Sequence, residues 1–337
     1  MIYASAPTRI DFAGGTLDIP PLYLFVSPCY TINLAIDLKA KVTLKRRRNQ
    51  KIHWVSRDQR VKASWASSRS VTWRGAPFQE LMGRLIRSFD PLPGCEMVTD
   101  CAAPAGAGTG GSSALTIAAT AALTTLKGER FSSRGALIEY AKGIETQAIH
   151  VPTGYQDYIA AVYGGASLIE FSVEGVKRRP LASRSFLKEL EKHLLLVYMG
   201  KPRFSGANNW ELFRRYFDRD RKVNRFFHDL RDNAIVMKEA FEQEDIPAVA
   251  RGLDRDWKTR KRMLPAMTTP AIERWIQEAR RQGAMGARVC GAGGGGCLAM
   301  IIDPDQRAQL HALAESHGVR VLPVKIVHHG LRVKRME

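Results

Sequence analysis

The chain has 337 residues, 45% of them apolar, enough to bury a substantial core without disulfide or metal staples. Its five cysteines are odd in number and show no Cys-x-x-Cys spacing, which argues against a disulfide framework or a zinc site and for reduced thiols. Basic residues exceed acidic ones by 18, favouring anionic partners: nucleic acid, an acidic membrane surface or phosphorylated small molecules.

The longest apolar runs, such as Leu194 to Met199, fall far short of the ~20 residues that cross a bilayer, and no charged-then-apolar leader opens the chain. A soluble, cytoplasmic protein is expected. In chain order, Tyr30 to Leu38, Ala40 to Arg46 and Lys51 to Val55 cluster β-formers between turn residues and predict an early sheet. A helix is predicted over Pro77 to Ser88, stopping before Asp90-Pro91, then a strand over Glu96 to Ala102 that runs into a glycine-rich segment. Helices follow from about Ser112 to Leu126, with Gly128 as stop signal, and from about Arg134 to Ile149 behind Ser132 and Ser133 as candidate caps. After the strands Gly164 to Phe171 and His193 to Met199 the text is helical and charged from about Asn208 to Gln282. It returns to strands at Ala287 to Cys290, Cys297 to Ile302 and Arg320 to Val327. Strands in both halves with helices between them predict a two-domain α+β protein, divided near residue 180 into 1–180 and 181–337. Basic clusters at Lys45 to Arg48, Arg214 to Arg225 and Lys258 to Arg262 read mostly as solvated faces.

The strongest local signal is Pro104 to Leu115, PAGAGTGGSSAL, between a predicted strand and a long helix. Its glycines let backbone approach an anion closely, and the helix N-terminus supplies unpaired N–H groups and a favourable dipole. This is phosphate-binding chemistry for Pro104, Gly106, Ala107, Gly108, Thr109, Gly110, Gly111, Ser112 and Ser113; the bland alternative is a flexible turn capped by the two serines. Gly106, Gly108 and Gly111 also satisfy G-x-G-x-x-G, but the segment TLKGERFSS supplies no second strand ending in an acidic residue, as a dinucleotide fold requires. No Gly-Lys-Ser/Thr closes any glycine loop, so a P-loop is excluded.

The same segment resembles the central motif of the GHMP small-molecule kinases. APTRIDFAGGTLDIPP (Ala6 to Pro21) resembles that family's first motif and GARVCGAGGGGCLAMI (Gly286 to Ile301) its third. The order is the family's, over nearly the whole chain. Thr109 takes the usual Leu place, Gly111 the usual first Ser, and Arg288 replaces the common Lys before the third motif. Gly14-Gly15-Thr16 stands for the Gly-Glu-His of galactokinase-like members, a form that resembles the heptose-phosphate kinase and fucose kinase branch. The resemblance implies the GHMP kinase fold: an N-terminal ribosomal-protein-S5-like α/β domain and a C-terminal ferredoxin-like α+β domain, with ATP and Mg²⁺ in the cleft.

Several residues acquire candidate roles beside plainer ones. Glu145 falls within the apolar stripe Leu137, Ile138, Ala141, Ile144 and Ala148; by resemblance it holds Mg²⁺ with Ser112, and otherwise it reaches solvent or pairs with Lys142 or His150. PTGYQDYIAAVYGG (Pro152 to Gly165) is similar to the family's Gly-x-x-Asp-Gln stretch, with Tyr158 in the usual Gln place. Asp157 then matches the proposed base, or it caps a helix starting at Tyr158. Arg9 occupies the family's Lys or Arg position, where it would stabilise transferred charge, unless it pairs with Asp11. Asp18 aligns with the acid that hydrogen-bonds sugar hydroxyls, with Gly14, Gly15 and Thr16 beside it, or is a turn residue before Pro20.

The run Gly200 to Asn209 offers Lys201, Arg203 and Ser205 to a substrate phosphate, singly more ordinary as a basic surface loop. Gly291 to Gly296, with Gly293 and Gly294 offered to substrate, either closes the active site or is a packing turn.

The expected activity is ATP-dependent phosphoryl transfer to a sugar or sugar-phosphate hydroxyl, foremost the anomeric hydroxyl of a heptose 7-phosphate, with a fucose- or galactose-type acceptor next. A basic nucleic-acid-binding or non-catalytic relative of the fold is the rival class. No membrane partner is expected, nucleic acid is not the favoured partner, and a monomer or homodimer is anticipated.

Overall fold

Two long strands, β1 (Ile2–Ala13) and β2 (Cys29–Arg46), form the spine of the first sheet. The structure, a computed structural model, describes residues 1–73, 77–200, 207–291 and 293–336. The strands expected over Tyr30 to Leu38 and Ala40 to Arg46 are one strand because β2 changes partner without breaking. Its first half pairs with β6 (Ala166–Ser172) and its second half with β5 (Cys95–Cys101). β3 (Ile52–Ser56) joins β5 in parallel, β4 (Val61–Trp65) forms one edge and β7 (Gly175–Pro180) extends β6. The chain's last strand, β12 (Arg332–Arg335), returns to pair with β1.

Against this sheet lie α2 (Gly111–Lys127) and α4 (Gln156–Tyr163), with α1 (Pro77–Ser88) and α3 (Arg134–Ile149) packed on α2 and on each other. α2 is buried from Ser113 to Thr124, and its threonines survive there because each hydroxyl bonds the carbonyl one turn back, Thr116 to Ser112, Thr120 to Thr116 and Thr124 to Thr120, at 2.7–2.9 Å. Gly128 ends it at φ 77°, and Ser133 caps α3 by accepting from Ala136 N at 3.0 Å.

The second sheet follows α5 (Arg184–His193). It comprises β8 (Leu194–Tyr198), β9 (Ala284–Val289), β10 (Cys297–Ile302) and β11 (Arg320–Leu322) in the antiparallel order β11-β8-β10-β9, the arrangement of a ferredoxin-like unit. Between them run α6 (Ala207–Phe217), α7 (Arg221–Glu242), α8 (Ile246–Met263), α9 (Pro270–Arg281) and α10 (Arg307–Ser316). Strand alternation sends Leu194, Leu196, Ala299 and Ile301 into a core shared with Ile10, Phe12, Ile32 and Leu34 of the first sheet. Leu195, Val197, Leu298 and Met300 face a separate core with Trp257 and Trp275. No described helix is long and apolar enough to cross a membrane.

One irregularity aims the site. Ala4 and Ala6 belong to the α2 side of β1, and strict alternation would put Arg9 on the other face. The β1–β2 register shifts between Ala6 and Thr8, so Ile10 and Phe12 enter the inter-sheet core and Arg9 is turned toward the helices.

Candidate active site

The segment Pro104 to Ser113 lines a cavity of about 360 Å³ that also takes in Glu145 and Asp157. Gly110, at φ 72°, precedes α2 without a side-chain cap. The first N–H groups of the helix, which have no intrahelical acceptor, therefore stand at the cavity wall beside the Ser112 and Ser113 hydroxyls. The third glycine segment packs directly on this loop: a Cβ on Gly108 would lie 2.4 Å from the Cys290 carbonyl oxygen, and one on Gly291 2.7 Å from Gly108 Cα. Cys297 N donates to Ala107 O at 2.8 Å, so the two loops are joined by backbone. Gly293 and Gly294 lie against Met267 and Ala266 instead, with Gly294 N donating to Met267 O at 2.6 Å. Their contact with the site runs through Met267, which lines a second cavity.

That second cavity, about 200 Å³, is bordered by Arg9, Gly15, Thr16, Asp18, Gln156 and Asp157. It shares Ser113, Ile149 and Asp157 with the first. Asp157 sits in the first turn of α4, which begins at Gln156, so it is not the N-cap of a helix starting at Tyr158. Arg9 Nε and Nη2 both reach Asp157 Oδ1, at 2.7 and 2.6 Å, while Nη1 donates to Gly108 O. Arg9 N also donates to Thr109 O at 2.9 Å. Burial opposes the Arg9 charge, but the Asp157 and Asp11 carboxylates outweigh it and raise its pKa. Arg9 therefore ties the acid to the phosphate loop. Its direct ion-pair partner is Asp157, not Asp11, whose Oδ2 accepts from Arg288 Nη2 at 2.6 Å.

Asp18 is buried and accepts from two backbone groups, Thr16 N at 3.1 Å on Oδ1 and Gln156 N at 3.0 Å on Oδ2. Burial pushes its carboxyl up to about 6 against the Gln156 hydrogen bond, with Asp157 and Asp11 adding repulsion. The site needs glycine at 154, because a Cβ there would lie 2.0 Å from Asp18 Oδ2. Gly14 contributes shape only: it does not line either cavity, and a Cβ on it would strike the Tyr30 carbonyl at 1.9 Å.

Glu145 is buried, and its Oε2 accepts from Tyr158 OH at 2.6 Å. Burial pushes its carboxyl up, opposed by hydrogen bonds from Tyr158, Ser112 and Ser113. It does not take the partners weighed from sequence: Lys142 pairs with Glu139 at 3.3 Å and His150 with Glu80 at 3.5 Å. Ser112 and Glu145 thus present a hydroxyl and a carboxylate at the phosphate-loop cavity. That oxygen set suits Mg²⁺, which keeps waters and phosphate oxygens as its other ligands. Among the described residues no cluster of three or more His, Cys, Asp or Glu forms a metal cage. Lys201, Arg203 and Ser205 lie outside the described residues.

Sequence reasoning missed a buried chain of charge beneath the acceptor-side turn. Arg260 Nη2 donates to Gly15 O at 2.7 Å, Nη1 to Thr16 Oγ1 at 3.3 Å and Nε to Asp256 Oδ2 at 2.5 Å. Asp256 Oδ2 also lies 3.0 Å from Arg288 Nη1. All four charged residues, Asp11, Asp256, Arg260 and Arg288, are at most 3% exposed. Arg260 belongs to the basic run Lys258 to Arg262, which from sequence reads mostly as a solvated face. Yet Leu253, Asp256, Trp257 and Arg260 fall at helical spacing on one face, a signal that would have placed it inside.

Residues 78–165 match the family description "GHMP kinases N terminal domain" and residues 237–317 match "GHMP kinases C terminal". Over 323 residues the chain is 28% identical to the D-glycero-alpha-D-manno-heptose 7-phosphate kinase of Campylobacter jejuni, covering 94% of each chain. It is 25% identical over 330 residues to the bifunctional fucokinase/GDP-fucose pyrophosphorylase of Arabidopsis thaliana, covering 93% of this chain and 31% of that one. The crystal structure of a D-glycero-D-manno-heptose 1-phosphate kinase from Bacteroides thetaiotaomicron shares the fold, with a TM-score of 0.79 at 22% identity over 100% of both chains. With both family regions in order around a phosphate loop and a buried acid, the chain belongs to the GHMP kinases, phosphotransferases that use ATP and an alcohol acceptor.

Proposed function

We propose that this kinase transfers the γ-phosphoryl group of ATP to a sugar phosphate, with the anomeric hydroxyl of a heptose 7-phosphate as the acceptor. A fucose- or galactose-type hexose is the alternative. The observation that carries the reading is that the phosphate-loop cavity and the acid-lined cavity meet at Asp157. A donor in one and an acceptor in the other come together at a single carboxylate. The similarity to the heptose 7-phosphate kinase over 94% of each chain supports the choice of acceptor.

In this reading the acceptor oxygen attacks the γ-phosphorus in line, the bond to the ADP oxygen breaks, and the hydroxyl proton passes to Asp157. Arg9 fixes that carboxylate through its bonds to Oδ1, and Asp18 accepts from an acceptor hydroxyl. The α2 N-terminus and loop N–H groups hold the phosphates. Ser112 and Glu145 would hold Mg²⁺, which when bound neutralises charge on the phosphates. The chain divides near residue 180, where β7 ends, into a phosphate-loop domain and a second domain, with β12 returning to the sheet of the first.

The test is ATP consumption with Mg²⁺ over heptose 7-phosphate, fucose, galactose and mevalonate, with phosphorus NMR of the product. A second phosphate on the anomeric carbon of the heptose is the expected result. Turnover confined to fucose or galactose would move the assignment to that hexose, and turnover confined to mevalonate would overturn the sugar assignment.

A further inference from the structure

The acceptor cavity has an apolar component that phosphoryl transfer does not explain. Trp210, on α6, lines it together with Phe213 one turn further on. Phe213 is 2% exposed and packs on Phe227, with ring centroids 6.3 Å apart, whereas Trp210 is 55% exposed. The helix is held in place behind it: Tyr216 meets Phe227 edge-on at 5.4 Å and Phe217 meets Phe25 at 5.3 Å. A large, half-exposed indole thus lines a cavity whose polar walls are carboxylates, an amide, hydroxyls and two arginines, and whose other described apolar side chains, Ile19, Ile149, Val151, Pro152 and Met267 among them, include no second exposed aromatic face.

The cations of that cavity do not balance this picture toward a simple anion. Arg9 is engaged by Asp157 and Gly108 O, and Arg260 by Asp256, Gly15 O and Thr16. The described wall therefore offers hydrogen-bond acceptors for hydroxyls and an aromatic face. A pyranose matches both, since its rim carries hydroxyl donors while one face of the ring presents only C–H groups. A flexible acyclic alcohol has the donors without a rigid apolar face, and covers less of an indole for the same loss of freedom.

We infer that Trp210 is the platform on which the apolar face of a cyclic sugar acceptor rests, and that it selects rings over acyclic alcohols. This rests on the sugar-acceptor reading above and adds to it the residue that seats the ring.

The experiment pairs acceptor binding with turnover. Heptose 7-phosphate, fucose and galactose, with mevalonate as the acyclic comparison, are titrated by calorimetry into the parent, Trp210→Phe and Trp210→Ala, with tryptophan fluorescence recorded alongside. Steady-state constants are measured for each acceptor turned over. Trp210→Ala is expected to raise the KM or Kd of the sugar at least about tenfold, leaving the KM for ATP and the melting temperature unchanged and kcat within about threefold. Trp210→Phe should recover most of the affinity and lose the fluorescence response. Parental sugar affinity in Trp210→Ala overturns the inference, as does a parent that binds mevalonate and none of the sugars. Failure of the parent to phosphorylate any sugar sinks the sugar-kinase reading by itself, and the binding titration still decides the role of Trp210.

Discussion

Removing the Asp256 carboxylate, as in Asp256→Ala, leaves two buried guanidiniums, Arg260 and Arg288, with Asp11 as their remaining buried carboxylate. Breaking a buried ion pair from one side costs about 3–5 kcal/mol, because the surviving charge cannot regain water. Unfolding entropy of about 2.1 cal/mol/K per residue over 337 residues converts that loss to a melting temperature lower by about 4–7 °C for a single cooperative transition. The Arg260 guanidinium also loses the anchor that aims Nη2 at Gly15 O, so the KM for acceptor should rise while that for ATP holds. Calorimetry and steady-state kinetics on Asp256→Ala, beside Asp256→Leu/Arg260→Met, separate the two effects. Removing both charges should return much of the stability but not the acceptor affinity, because Gly15 O stays without its donor. A single variant that melts within about 1 °C of the parent, with unchanged kinetics, would refute the reasoning.

Three further outcomes follow from the geometry. Gly108→Ala places a Cβ 2.4 Å from the Cys290 carbonyl at φ 74° and should weaken ATP binding about 10- to 100-fold by titration; Gly128→Ala, at φ 77° with open space around it, should cost only about 1 kcal/mol by thermal melt and leave ATP affinity unchanged. Asp18 has a folded pKa of about 6, above the unfolded value, so its contribution to stability is full below pH ~4 and is lost as pH rises through 6, a cost of about 3 kcal/mol at pH 7. Melting curves against pH should show that slope, and Asp18→Asn should remove it while flattening a rise in kcat/KM for acceptor centred near pH 6. Tyr158→Phe strips the buried Glu145 of its 2.6 Å donor; Mn²⁺ binding followed by electron paramagnetic resonance in the presence of nucleotide should weaken about tenfold or more, and an unchanged constant would remove Tyr158 from metal positioning.

Much of the fold was legible because its elements carry strong local signals. The helices Pro77 to Ser88 and Arg134 to Ile149 agree with the structure end for end, one closed by Asp90-Pro91 and the other opened by Ser133. β12 was not legible: Arg332 to Arg335 is exposed throughout and has no apolar alternation, its place being set by pairing with β1. The single strand β2 was read as two because composition does not reveal a change of partner. Within the site, the glycine loop announced itself through spacing and Asp157 through its resemblance to the family's motif, whereas the pairing of Arg9 with Asp157 depends on a register shift in β1. Gln156 was passed over beside its acidic neighbour, although its backbone N–H holds Asp18. Trp210 stands in charged helical text, where nothing but the folded cavity distinguishes an indole at its mouth from one in a core.

The meeting of two cavities at one carboxylate is tested most directly by Asp157→Asn, with turnover and ATP binding measured on the same preparation. Loss of about 100- to 10,000-fold in kcat with ATP affinity held within about threefold is the predicted result. Turnover within a few fold of the parent would contradict the placement of Asp157 between donor and acceptor.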